Sequence, residues 1–75
     1  MLRLGRQIRL TGNEIERFIL ITDIVPDGVR TEEDLCAYVR ECKRHYWGKS
    51  EQTAYLHWLL DRELTYCLEM ARPSH

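Results

Sequence analysis

Met1-Leu2-Arg3-Leu4-Gly5-Arg6-Gln7-Ile8-Arg9-Leu10-Thr11 is the stretch whose pairing decides the fold. Leu2, Leu4, Ile8 and Leu10 fall on one parity. Arg3, Gly5, Gln7, Arg9 and Thr11 fall on the other, and Arg6 is the single break in the apolar row. Alternation with period two predicts a half-buried strand over residues 1–11 with one apolar and one basic face. A lone strand leaves its backbone N–H and C=O groups unpaired, so it requires a partner strand. That partner comes from a hairpin within the chain or from a second copy of the chain.

The next segment, 12–25, carries two readings. Thr11-Gly12-Asn13-Glu14 fits a capping box, with Thr11 as helix cap and Glu14 three residues on. Gly12-Asn13 also fits a two-residue type II′ hairpin turn. That turn would set Leu10 opposite Ile15 and Arg9 opposite Glu16. The β-branched content of residues 15–25 favours a strand. The stripe Ile15, Phe18, Ile19 and Thr22, with acids at the start, favours a helix. Both remain open from sequence: helix or second strand.

Beyond Pro26-Asp27-Gly28 the pattern is helical. Thr31, followed by Glu32, Glu33 and Asp34, is a cap with first-turn acids. The helix predicted over 31–47 has the apolar stripe Leu35, Tyr38 or Val39, Cys42 and Tyr46. Lys43, Arg44 and His45 sit in its last turn, and Gly48 stops it. Ser50 caps a last helix over 50–71, ending before Pro73. Its stripe is Leu56, Leu59, Leu60, Leu64, Cys67, Leu68 and Ala71, with Tyr55, Trp58 and Tyr66 beside it. The short connection predicts that these two helices pack as an antiparallel hairpin. The fold class is therefore mainly α: an N-terminal strand followed by two to three helices.

Composition bounds the function. Seventy-five residues make one small domain, 1–75, that buries only about 60% of its unfolded surface. Such a core gains from dimerisation or partner binding, and a homodimer is expected. A hydrophobic content of 44% excludes disorder. The longest apolar run, Phe18 to Ile21, is far short of a membrane span. No apolar stretch follows the basic start, so a signal peptide is not expected and a cytoplasmic protein is. Three cysteines, Cys36, Cys42 and Cys67, are an odd number within helical patterns, which predicts reduced thiols. Net charge is −1, yet residues 1–10 hold Arg3, Arg6 and Arg9 and no acid. Residues 31–75 hold eight acids against six bases.

Chemistry-bearing clusters are sparse. Cys42 and His45 are three apart on a helix and His57 faces them across the bend. Those are three ligands where a closed zinc site needs four, so no metal and no cofactor is expected. No third group orients a cysteine–histidine pair, and no glycine-rich phosphate loop exists. Asp61, Glu63 and Glu69 read as a solvated face. The chain is expected not to be an enzyme.

Two function classes follow. Gln7-Ile8-Arg9-Leu10-Thr11 resembles the strand and helix cap of the ribbon-helix-helix repressors. Gly28-Val29-Arg30-Thr31 resembles the turn between that family's two helices, with Leu35, Val39 and Cys42 on the second helix's core face. The resemblance covers residues 3–46, and residues 50–71 have no counterpart in the minimal fold. It implies a homodimer whose strands pair into a ribbon that enters the DNA major groove, and a role in transcription regulation. Arg3, Gly5, Gln7 and Arg9 would then point outward, and Arg3, Gln7 and Arg9 would be the base readers. Arginine can fork onto guanine and glutamine onto adenine. Backbone N–H groups near Thr31 would hold a phosphate. The competing class is a protein-binding regulator, or an inhibitor carried by a mobile element such as a phage. Its anchors would be the aromatic residues of the helical hairpin: Tyr46, Trp47, Tyr55 and Trp58.

Overall fold

The computed structural model describes residues 1–70 and 72–73. The order is β1 (Leu2–Leu4), β2 (Gln7–Arg9), α1 (Gly12–Thr22), α2 (Glu32–His45), α3 (Glu51–Glu69) and β3 (Arg72–Pro73). The class is mainly α, with a small antiparallel hairpin ahead of three helices. None of the described helices is long and apolar enough to cross a membrane.

The expected continuous strand is corrected to a hairpin closed inside the first ten residues. β1 pairs antiparallel with β2, Leu2 opposite Arg9, Arg3 opposite Ile8 and Leu4 opposite Gln7. Gly5 and Arg6 make the turn, with Gly5 at φ +60°, the position that a type II′ turn reserves for glycine. A two-residue turn places an even residue opposite an odd one, so the parity of the faces swaps between strands. Leu2 and Leu4 therefore share the exposed face with Gln7 and Arg9, and Leu4 is 64% exposed. Met1, Ile8 and Leu10 are buried. Arg3 stands on the inward side, not with Gln7 and Arg9.

Both flanks of this hairpin have partners. β3 lies parallel to β1, giving the sheet order β2-β1-β3. On the other side, Ile8 N–H donates to the Arg30 carbonyl at 2.7 Å, and Gln7 bridges Thr31. The strand thus finds its partner inside the chain.

Residues 12–22 resolve to a helix because the local capping chemistry is complete. Thr11 Oγ1 accepts from Glu14 N–H at 3.2 Å, and the Glu14 carboxylate accepts from Thr11 N–H at 2.8 Å. Asp23, at φ +57°, closes the helix, its N–H donating to the Ile19 carbonyl. α2 repeats the box with Thr31 and Asp34, and Ser50 caps α3 through Thr53 N–H. The observed ends, Glu32–His45 and Glu51–Glu69, lie within the predicted ranges. Ala71, expected on the α3 stripe, lies outside the described residues.

α3 packs across α1 and α2. Phe18, Leu35, Val39, Cys42, Leu60 and Cys67 form the centre, and Met1, Ile8 and Leu10 close it from the hairpin side. Burying each large apolar side chain contributes roughly 1.5–3 kcal/mol. Phe18 meets Tyr38 edge to face at 5.4 Å, a favoured aromatic geometry. α2 and α3 run antiparallel: Lys43 pairs with Asp61 at 2.6 Å, and His57 Nε2 lies 2.9 Å from the Tyr46 carbonyl.

Candidate interaction surface

α3 has two faces with separate uses. Leu56, Leu60, Leu64 and Cys67 turn inward onto α1 and α2. Tyr55, Trp58, Arg62 and Tyr66, spaced three to four apart, run along the opposite side. Tyr55 is 61% exposed, Trp58 53% and Tyr66 43%. The core uses none of the three rings.

This face is ordered by its own contacts. The Tyr55 and Trp58 rings stack with centroids 5.8 Å apart and planes 20° from parallel. The Arg62 guanidinium lies 5.3 Å over the Trp58 ring. Arg17, from α1, lies 5.0 Å over Tyr66 and 3.4 Å from Glu63. Such cation–π contacts at exposed sites contribute roughly 0.5–1 kcal/mol each, enough to bias side-chain positions without removing them from solvent. Trp58, Asp61, Arg62, Thr65, Tyr66 and Glu69 line an open groove along the helix. Its floor is aromatic and its rim carries both signs of charge.

The four aromatic residues expected as anchors divide. Tyr55 and Trp58 are on this face. Trp47 is 83% exposed in the turn between α2 and α3. Tyr46 is half-buried and does structural work: its hydroxyl donates to the Thr22 carbonyl at the end of α1. Arg62 and Tyr66 complete the surface and were not among the expected anchors. Their signal was the continuation of the Tyr55–Trp58 spacing by four and four along the helix.

The residues expected to meet DNA divide too. Gln7 and Arg9 project side by side from the exposed face of β2. Arg3 is ion-paired with Glu32 across the sheet edge. Thr31 is spent on the cap: Asp34 N–H donates to its hydroxyl at 3.1 Å. The Asp34 carboxylate accepts from Arg30 N–H at 3.0 Å and Thr31 N–H at 3.2 Å. The chain's own carboxylate thus occupies the anion position at that helix start.

Cys42, His45 and His57 do not converge on one another. Among the described residues, no group of three or more His, Cys, Asp or Glu side chains could hold a metal ion. Cys42 is buried, His45 packs edge-on against Tyr46, and His57 faces the Tyr46 carbonyl. Burial, reinforced by the nearby Glu14 and Glu63 carboxylates, pushes the Cys67 thiol up to about 12, so it stays protonated at neutral pH. Glu14, absent from any sequence expectation of burial, is 4% exposed and meets the Met1 ammonium at 2.8 Å. Burial opposes its ionisation, yet the ammonium and the Thr11 N–H outweigh that and lower its pKa. Comparison with protein-family models, curated proteins and solved structures finds no match to this chain, so geometry alone carries the functional argument.

Proposed function

We propose that this chain is a small non-enzymatic regulator that works by binding protein through the outer face of α3. The observation that carries the reading is the stacked, exposed Tyr55–Trp58 pair with Arg62 laid over it. Tyrosine, tryptophan and arginine dominate interface energetics. Rings already held by one another lose little freedom on docking, which favours affinity. Asp61 and Glu69 beside the rings work against a polyanionic ligand and in favour of a protein surface.

Photo-crosslinking in cells tests this. A photoreactive residue at position 58 is compared with one at Leu20, which is 86% exposed on α1. Protein adducts concentrated at position 58 are the expected result. Equal yields at both positions, or none at 58, would overturn the reading.

A second reading has one observation in its favour. Gln7 and Arg9 lie together on the exposed face of the β1–β2 hairpin, and an antiparallel strand pair can enter a major groove. It is the ribbon-helix-helix-like DNA-binding regulator, resting now on Gln7 and Arg9 because the fold employs Arg3 and Thr31 internally. Fluorescence anisotropy with mixed-sequence duplex DNA tests it, with Arg9→Ala alongside. Salt-sensitive binding that needs Arg9 supports it. No binding at low salt retires it.

A further inference from the structure

The outer face of α3 has a self-complementary charge pattern. Glu51, Tyr55, Trp58 and Arg62 are all exposed and are spaced four, three and four apart. That is the alternating four-three spacing of a helix–helix seam. When two such helices meet head to tail about a two-fold axis level with residues 56 and 57, Tyr55 of each copy comes opposite Trp58 of the other. In the same register Glu51 of each comes opposite Arg62 of the other. The charged layers at Glu51 and Arg62 are then each paired with their opposite, and the four rings form one cluster at the axis.

Other registers lack this property. A parallel pair sets Arg62 against Arg62 and Glu51 against Glu51. Sliding the antiparallel pair by one heptad toward the C-terminus sets Glu51 against Glu69. Like charges brought face to face cost affinity, so the pattern disfavours both of these arrangements relative to the first. The exposed parts of Tyr55, Trp58 and Tyr66 together offer on the order of 350 Å² per chain, an aromatic centre for an interface whose standard size is roughly 800 Å² per partner.

We propose that the partner bound by this face is a second copy of the chain, paired antiparallel through α3 with Glu51 of each copy on Arg62 of the other. The proposal rests on the protein-binding reading above and names its partner. The interface is isologous.

Sedimentation equilibrium of the full chain from low to high micromolar concentration tests it. Glu51→Arg, Arg62→Glu, the double reversal and Trp58→Ala are measured alongside, with circular dichroism as the control for folding. The wild type is expected at twice the 9.0 kDa chain mass. Each single reversal places like charges in contact twice and is expected to weaken the dimer about tenfold or more. The double reversal is expected to restore it, and Trp58→Ala to abolish it. A wild-type monomer at every concentration overturns the proposal. A dimer indifferent to the reversals overturns it also, because the pairing then lies elsewhere. If the chain is monomeric while position 58 still crosslinks to a different protein, self-association fails and the protein-binding reading stands. If position 58 gives no adduct at all, both fail.

Discussion

Thr22 Oγ1 lies 3.0 Å from the Tyr38 hydroxyl, and these two side chains secure the end of α1. Thr22 Oγ1 also accepts from Ile24 N–H at 3.1 Å and donates to the Phe18 carbonyl at 2.8 Å, while Tyr38 donates to the Ile24 carbonyl at 2.6 Å. Tyr46 adds its hydroxyl to the Thr22 carbonyl. The network satisfies groups that a helix end leaves orphaned. It also fixes the chain's turn toward Pro26, and so the placement of α2 against α1.

Thr22→Val is expected to destabilise the fold by roughly 1–3 kcal/mol, because Ile24 N–H loses its acceptor at a half-buried site. Tyr38→Phe is expected to cost less, about 0.5–1.5 kcal/mol, the net contribution of the one hydrogen bond its hydroxyl donates to the Ile24 carbonyl. Urea unfolding of the two single variants and the double measures this. The double should cost less than the sum, as shared partners couple. Strict additivity would dissolve the network into independent bonds. Burial raises the Tyr38 pKa. The stability this contributes is complete below the ordinary tyrosine value of about 10 and is lost as pH rises beyond it.

Two glycines should respond with opposite signs. Gly5 holds φ +60° in the hairpin turn, and Gly12 is the first residue of α1 with open space where a Cβ would stand. Gly5→Ala is expected to destabilise by about 1–2 kcal/mol, the cost of a side chain in left-handed geometry. Gly12→Ala is expected to stabilise by about 0.4–1 kcal/mol through the unfolded chain. Thermal melts decide. A neutral Gly5→Ala would mean that the Gly5-Arg6 turn is not held in solution.

The contrast between these glycines also shows where the sequence was readable. Thr31 with its first-turn acids and Ser50 mark the starts of α2 and α3 in the sequence, because capping joins a side chain to backbone only a few residues away, whereas Thr11 with Glu14 competes there with a Gly12-Asn13 turn. The N-terminal hairpin is hidden in the sequence because its alternation survives numerically across the Gly5-Arg6 turn while the faces change over. Gly5 at the first central position of a two-residue turn was the available signal. On α3, Tyr55, Trp58 and Tyr66 beside the apolar stripe point to a second face beyond the core. Which aromatics belonged to it was not legible: Tyr46 and Tyr55 look alike in sequence, and only tertiary packing turns the Tyr46 hydroxyl onto Thr22.

Glu14 gives the fold an acid limit. Its carboxylate has a lowered pKa, held by the Met1 ammonium and the Thr11 N–H against burial. A depressed carboxylate contributes stability that is present above its unfolded value, near 4.5, and is lost as pH falls through the folded value. Glu14→Gln should destabilise at neutral pH by roughly 1–3 kcal/mol, as it strands a buried partner. The difference between variant and wild type should shrink as pH drops below 4.5. Denaturant midpoints across that range measure it. A difference that stays constant with pH would show that Glu14 does not ionise differently in the folded chain.

The three thiols should separate by burial and not by intrinsic chemistry. Cys36 is partly exposed on α2, whereas Cys42 is 1% exposed and Cys67 is fully covered. A thiol reagent attacks the thiolate, and burial pushes the Cys67 thiol up to about 12. Cys36 is therefore expected to label rapidly in the native protein. Cys42 and Cys67 wait for opening, which a folded domain visits with a population on the order of a thousandth or less. Their labelling rates should climb with urea in proportion to the unfolded fraction, while the Cys36 rate changes little. Rapid native labelling of Cys67, read by mass spectrometry of the modified peptides, would mean that α3 lifts from α1 without global unfolding. The outer face of α3 would then be carried by a mobile helix, and the rigidity assigned to the Tyr55–Trp58 stack would be lost.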